Sequence, residues 1–124
     1  MNYTSTRNDT LSVSSSFAIA NGISEEGGLF IPTEIPKVNS DFIASLVPLS
    51  YIERARKVLS LYLTDFGKAE IDADTEGAYA TGFTNEKVAP LVNIHDNVNV
   101  LELWHGPTCA FKDMALQIMP MLLS

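Results

Sequence analysis

The sequence predicts a protein of the α/β class, and three observations lead to that prediction. Apolar residues recur every three or four positions from Ile52 to Tyr62, which indicates an amphipathic helix. After Pro90 the pattern changes to two apolar, valine-rich segments, Leu91–Ile94 and Val98–Trp104, which favour strands. A Gly106-Pro107 turn and another apolar helical segment follow the second strand, an order typical of α/β domains.

The strands of the N-terminal region are predicted to be short. Residues Tyr3–Thr6 alternate weakly between polar and apolar side chains, so we expect a short edge strand there. Leu29–Ile31 is a brief apolar segment that Pro32 should end, because proline lacks the N–H group that a sheet ladder needs.

Four helices are predicted before residue 81, over residues 16–21, 41–46, 51–66 and 68–80. The expected N-terminal caps of the first three are Ser14 or Ser15, Ser40 and Ser50. Ser50 and Glu53 have the spacing of a capping box. We expect Gly22 to end the first helix and Gly67 to end the third, while Gly77 weakens the fourth.

A last helix is predicted over Ala110–Leu123, with Pro120 inside it. Because proline removes one helical hydrogen bond, we expect a kink or an early end there. Two strands and one helix cannot cover both faces of a parallel sheet. We therefore expect these residues to be the N-terminal part of a longer enzyme.

Composition and charge limit the possible partners and the cellular location. The chain has 124 residues and a net charge of −7, which argues against nucleic acid, since phosphate binding needs basic patches. Cys109 is the only cysteine, so no internal disulfide is possible and a reducing, cytoplasmic location is expected. The polar N-terminus does not resemble a signal peptide, and no apolar run approaches the ~20 residues of a membrane span.

Lys112 stands out by its neighbours, because it follows the Gly106-Pro107 turn and lies between Phe111 and the apolar residues that begin with Met114. A cation in the first turn opposes the helix dipole, and apolar surroundings disfavour the ammonium form. A neutral lysine amine is the nucleophile that attacks aldehydes and ketones. A solvated surface lysine is the simpler alternative.

The segment LELWHGPTCAFKD, Leu101–Asp113, resembles the cofactor-lysine motif of threonine synthases, in which a leucine-rich strand precedes His-Gly-Pro-Thr-x-Ala-Phe-Lys-Asp. Three N-terminal segments also resemble that family: Tyr3–Arg7, Phe17–Gly22 and Glu26–Pro32. The resemblance implies a threonine-synthase-type α/β domain over residues 1–88. Residues 89–124 would then be the first strands and helix of a tryptophan-synthase-β-like, fold-type II domain that binds pyridoxal 5'-phosphate.

The resemblance also implies a lyase that converts O-phospho-L-homoserine and water to L-threonine and phosphate, with pyridoxal phosphate as cofactor. By its place in the motif, Lys112 would bind the cofactor covalently and then move protons, and Phe111 would line the cofactor pocket. His105, Thr108 and Asp113 are candidates for contacts with substrate or cofactor. No glycine-rich loop suited to the cofactor's phosphate is found, so we expect these 124 residues alone to be inactive.

Simpler explanations exist for the neighbours of Lys112. Phe111 would also serve as core packing, Asp113 suits the first turn of any helix, and Cys109 would fill space as a small apolar residue. We expect no metal site, because His105 has no Cys or His partner at a metal-binding spacing.

Two other functions remain open. The first is a threonine-synthase-like phospholyase, which eliminates phosphate without forming threonine. The second is a free-standing, non-enzymatic binding module. The apolar residues 114–123 argue against the second, because they need a partner surface, and we expect them to mediate self-association.

Overall fold

The computed structural model describes the whole chain, Met1–Ser124. The strands are β1 (Tyr3–Ser5), β2 (Asn8–Val13), β3 (Phe30–Pro32), β4 (Leu91–His95) and β5 (Val98–Leu101). The helices are α1 (Ser15–Asn21), α2 (Ser40–Leu46), α3 (Tyr51–Tyr62), α4 (Lys68–Tyr79), α5 (Asp113–Leu116) and α6 (Met119–Leu122). The predicted mixture of helices and strands is confirmed. No helix combines the length and the apolar character that a membrane crossing requires.

The N-terminal sheet has the order β2-β1-β3, and both strand pairs are antiparallel. A strand is found where one was predicted, but the prediction that it lies at an edge is wrong, because β1 is the central strand. Its second partner, β2, was not predicted, since the polar sequence NDTLSV shows no clear alternation. Pro32 lies at the end of β3 and pairs with Tyr3, a position that proline tolerates on an edge strand.

Local capping interactions explain where the helices begin. Ser14 accepts a hydrogen bond from the backbone of Phe17 at 3.1 Å, and Gly22 is the C-terminal cap of α1. Helix α2 is capped by Asn39 rather than by the predicted Ser40. An asparagine amide oxygen reaches the third helical N–H as readily as a hydroxyl does, so both residues were plausible caps.

Helix α3 begins as predicted but ends earlier. The capping box is confirmed, because the Ser50 N–H donates to the Glu53 carboxylate at 2.8 Å and the Glu53 N–H donates to Ser50 Oγ at 3.3 Å. The helix ends at Tyr62, and Gly67 is the N-terminal cap of α4 instead of the end of α3. The N–H of Gly67 donates to Glu70 at 3.0 Å. A glycine fits either end of a helix, which is why the sequence pattern did not decide between them.

The C-terminal part departs most from the prediction. Strands β4 and β5 form an antiparallel hairpin, and β5 ends at Leu101 rather than at Trp104. The predicted helix over 110–123 is two four-residue helices, α5 and α6. Pro120 lies in the first turn of α6, where its missing N–H group removes no helical bond. The interruption therefore precedes the proline.

A small core joins α3 and α4 to the C-terminal part of the chain. Ala78, Tyr79, Val88 and Ile118 are buried together, and apolar residues of α3 pack against them. The hydroxyl of Tyr79 donates to the backbone carbonyl of Met114 at 2.7 Å, which ties α4 to α5.

The proposed domain boundary after residue 88 and the self-association of residues 114–123 stay predictions. Several of those residues, such as Leu116 and Met119, are exposed.

Replacement of Gly28 by alanine is expected to destabilise the N-terminal sheet by about 1–3 kcal/mol, because the new methyl group has no room. It would overlap the hydroxyl of buried Ser5 and lie 3.0 Å from the backbone nitrogen of Arg7. Urea unfolding measures the change. Gly67→Ala is the matched control, since its methyl group would meet no atom closer than 3.9 Å, and we expect less than about 1 kcal/mol there. Equal effects of the two changes would contradict the steric argument.

Asp65 is expected to make the stability of the chain depend on pH. Desolvation of its carboxylate raises the pKa of Asp65, but hydrogen bonds from Ser15 and Ser16 outweigh this effect and hold that pKa well below its usual range. The stabilisation is present above the unfolded-state pKa of about 4 and is lost as the pH falls through the lower folded-state value.

Asp65→Asn should therefore reduce the loss of unfolding free energy between about pH 5 and pH 2, as measured by urea titration at each pH. Asp9→Asn is the control, because the Asp9 carboxylate is exposed and makes no hydrogen bond. If Asp65→Asn and the wild type lose stability equally over this range, the assignment to Asp65 is wrong.

Candidate functional site

The loop between β5 and α5 is folded around the carboxylate of Asp113, which has no exposed surface. This carboxylate accepts hydrogen bonds from the backbone N–H of Thr108 at 2.9 Å and from the Thr108 hydroxyl at 2.8 Å. Gly106 lies against the same side chain, where a methyl group on it would overlap the Cβ of Asp113 and lie 2.8 Å from its Cγ. A buried carboxylate with two donors holds a loop firmly, since charge-assisted hydrogen bonds are the strong ones.

Lys112 is the last residue before α5 and is exposed. Its side-chain amine makes no hydrogen bond or ion pair with the rest of the chain, whereas its backbone carbonyl accepts from Leu116 at 2.8 Å and starts the helix. Phe111, beside it, has 65% of its surface exposed.

The apolar enclosure expected around Lys112 is not found within this chain. Its apolar neighbours Phe111 and Leu116 face solvent, and α5 is only four residues long, so the helix contributes little dipole. The loop thus presents a free lysine amine next to an exposed aromatic ring.

His105 is held at the beginning of the same loop. Its Nε2 lies 2.7 Å from a carboxylate oxygen of Glu102, and its Nδ1 lies 3.1 Å from the Thr84 hydroxyl. The backbone carbonyl of His105 also accepts a hydrogen bond from the N–H of Thr84 at 2.9 Å. Both ring nitrogens therefore have partners within the chain, and so do the hydroxyl and amide of Thr108.

Sequence reasoning missed Glu102 and Thr84. Glu102 is the only charged residue in the apolar segment Val98–Trp104 and precedes His105 by three positions, a signal that was available. Thr84 lies 21 residues before His105 in the sequence, and no local pattern connects the two.

The structure brings the five predicted site residues into one loop but does not show a pocket around the lysine. An open apolar cavity of about 500 Å³ lies between α3, β5 and α5, lined by residues such as Tyr51, Leu59 and Met114. Lys112 and Phe111 are absent from its walls, so it is not the predicted cofactor pocket. No group of three or more His, Cys, Asp or Glu side chains lies close enough to bind a metal ion.

The residues present fit covalent attachment of an aldehyde cofactor at Lys112. The lysine amine is free and exposed, and a buried carboxylate fixes the loop that carries it. They do not fit the binding of a cofactor phosphate, for which a glycine-rich loop at a helix N-terminus is the usual site. The glycine that begins α4 stands alone, and its N–H is bonded to Glu70.

Comparison with known proteins gives one consistent family. The model of the threonine synthase N terminus matches residues 2–79. Threonine synthase of Schizosaccharomyces pombe is 40% identical over 96% of this chain and 23% of its own length. Threonine synthase-like 1 of Pongo abelii is 41% identical over 83% of this chain and 14% of its own length.

A solved structure agrees with the sequence matches. The crystal structure of threonine synthase from Brucella melitensis with bound pyridoxal phosphate superposes with a TM-score of 0.92 and 36% sequence identity. The superposition covers 99% of this chain and 26% of that one. The chain therefore spans about a quarter or less of the length of these relatives.

Proposed function

Because this chain belongs to the threonine synthase family, we propose that it forms the N-terminal quarter of an enzyme that converts O-phospho-L-homoserine and water to L-threonine and phosphate. The observation that carries the proposal is the loop Trp104–Lys112, in which the free amine of Lys112 follows a turn fixed by buried Asp113. Bound pyridoxal phosphate would supply an electron sink for carbanions.

In this proposal each residue of the loop has its own role. Lys112 binds the cofactor covalently through its amine and afterwards holds and moves a proton at Nζ. Phe111 would form one wall of the cofactor pocket beside it, and the remaining walls are not supplied by these residues. Asp113, Thr108 and His105 orient the loop, because their polar atoms are already bonded to one another or to neighbouring residues.

A threonine-synthase-like phospholyase is the second candidate. The chain is as similar to a protein named threonine synthase-like 1 as to a protein named threonine synthase, so identity over these residues does not separate a synthase from a synthase-like protein. The products do, because the synthase forms threonine and phosphate, whereas the phospholyase forms a keto acid, ammonia and phosphate.

The test is to isolate the native polypeptide from its source cells with an antibody to these residues, record its mass and supply it with pyridoxal phosphate and O-phospho-L-homoserine. We expect a polypeptide several-fold heavier than 13.5 kDa and formation of threonine. Keto acid without threonine would establish the phospholyase. A native mass of 13.5 kDa with no turnover would contradict the proposal and favour a binding module.

The 124-residue chain by itself is expected to form no threonine, even with excess pyridoxal phosphate, because these residues offer no cradle for the cofactor's phosphate group. The measurement is threonine production by the purified chain, with the native polypeptide assayed alongside as the positive control. Turnover by the purified chain would show that residues 1–124 bind and use the cofactor without any cradle of the usual kind.

A further inference from the structure

Glu102, His105 and Thr84 form a connected chain of hydrogen bonds at the start of the lysine loop, residues 105–113. The side chains of His105 and Glu102 are only 15% and 19% exposed, and the atoms that join them are 2.7 Å apart. Hydrogen bonds to an ionised group strengthen as water is excluded from them. This pair is therefore suited to hold the ring of His105 in one orientation.

The chemistry of the partners fixes the positions of the protons. Because a carboxylate only accepts hydrogen bonds, His105 Nε2 must carry the proton shared with Glu102. In the neutral ring Nδ1 is then an acceptor for the hydroxyl of Thr84, which lies 3.1 Å from Nδ1 and 3.4 Å from the backbone carbonyl of His105. Glu102 thus sets the tautomer of His105, and the tautomer sets the direction of the bond to Thr84.

The same residues also fix the backbone. The N–H of Thr84 donates to the carbonyl of His105 at 2.9 Å, so the loop after α4 and the segment after β5 are joined at this point. Gly106 follows His105 and packs against Asp113. The lysine loop therefore has two fixed ends, His105 at the beginning and Asp113 at the close.

A second histidine–carboxylate pair in this chain lacks these features. His95 Nδ1 and Asp96 are 2.9 Å apart, but their side chains are 77% and 80% exposed, where β4 ends and the hairpin turn begins. Exposed pairs of this kind contribute little to structure. Both pairs join a histidine to a carboxylate. Only Glu102 and His105 are largely buried, and only their pair has a third partner, Thr84.

We propose that Glu102 is a positioning residue, which acts through His105 to set the course of the loop that presents Lys112. The proposal rests on the function proposed above for Lys112, and it adds Glu102 and Thr84 to the residues on which the reaction depends. Neither residue touches the cofactor or the substrate in this role.

The experiment compares Glu102→Gln with Asp96→Asn in the native full-length polypeptide, since each change neutralises the carboxylate partner of a histidine. Hydrogen–deuterium exchange of the peptide that contains residues 105–113 is measured without cofactor. In the presence of pyridoxal phosphate, kcat and KM are measured, and borohydride reduction followed by mass spectrometry gives the fraction of Lys112 that carries the cofactor.

We expect Glu102→Gln to speed exchange in the loop and to lower kcat about 10-fold, with KM changed less than about threefold, because a misplaced lysine impairs the reaction more than binding. Asp96→Asn should match the wild type in every readout. Thr84→Val, which keeps the shape but removes the hydroxyl, should reproduce part of the effect of Glu102→Gln.

Wild-type exchange and kcat in Glu102→Gln would overturn the proposal. So would a lower melting temperature together with an unchanged kcat of the folded enzyme, because that result describes a purely structural role. If the wild type itself carries no cofactor on Lys112, the proposed function fails. The exchange comparison still decides in that case whether Glu102 holds the loop.

Discussion

Replacement of Lys112 by alanine is expected to lower kcat/KM of the native full-length polypeptide by at least about 10³-fold, because in the proposed function this one residue supplies both the covalent attachment and the proton transfer. The measurement is the release of phosphate from O-phospho-L-homoserine. After borohydride reduction, the peptide that contains residue 112 should gain the mass of the reduced cofactor in the wild type only. The wild-type structure supports this expectation, since the Lys112 amine makes no internal contact that would have to break first.

Lys87→Ala is the matched control, because Lys87 is also an exposed lysine in a loop and its side chain makes no ion pair. Its removal should leave both turnover and the mass of the reduced peptide unchanged. Recovery of the reduced cofactor on Lys87 or any other lysine of the wild type would show that Lys112 was misassigned. The same conclusion would follow if Lys112→Ala kept more than about a tenth of the wild-type activity.

Short-range features of this fold could be predicted from the sequence. The capping box of Ser50 and Glu53 and the cap at Ser14 each depend on residues three positions apart. Such interactions form whenever the local backbone allows them, so the pattern of side chains is enough to identify them.

Features that depend on distant residues could not be predicted in the same way. The central place of β1 requires β2 and β3 to pair on both sides of it, and β3 begins 25 positions after β1 ends. The break between α5 and α6 places Ile118 in a core with Tyr79 of α4, nearly forty residues earlier in the chain. Packing of this kind overrides helical propensity, which is weak by comparison.

In the candidate site, too, local features could be predicted from the sequence, whereas contacts with distant residues could not. The contiguous motif around Lys112 singles out the lysine and its neighbours as candidates, but it does not show that His105 and Thr108 already have partners. Because these polar atoms are already bonded, the roles proposed for His105 and Thr108 are in positioning rather than in contact. The apolar residues beside Lys112 predict a buried lysine. In the structure Phe111 is exposed, because no other part of these 124 residues covers it.

Replacement of Asp113 by alanine is expected to have the largest effect on the stability of the lysine loop. Removing the carboxylate deprives Thr108 of two acceptors and leaves a gap against Gly106, at a cost of about 3 kcal/mol in the free energy of unfolding. Urea unfolding of the chain measures the total, and hydrogen–deuterium exchange of residues 105–113 shows whether the loss is confined to the loop.

Thr108→Val is the matched control for Asp113→Ala, because it removes only the hydroxyl and leaves the backbone N–H of Thr108 bonded to Asp113. We expect it to cost about 1 kcal/mol. Asp113→Asn should fall between the two, since the amide keeps the volume and one acceptor oxygen but loses the charge. Equal costs for Asp113→Ala and Thr108→Val would mean that the carboxylate does not organise the loop. A firmly held Asp113 matters for function, because Asp113 follows Lys112 directly in the chain. A more mobile residue 113 would make the backbone of Lys112 more mobile as well.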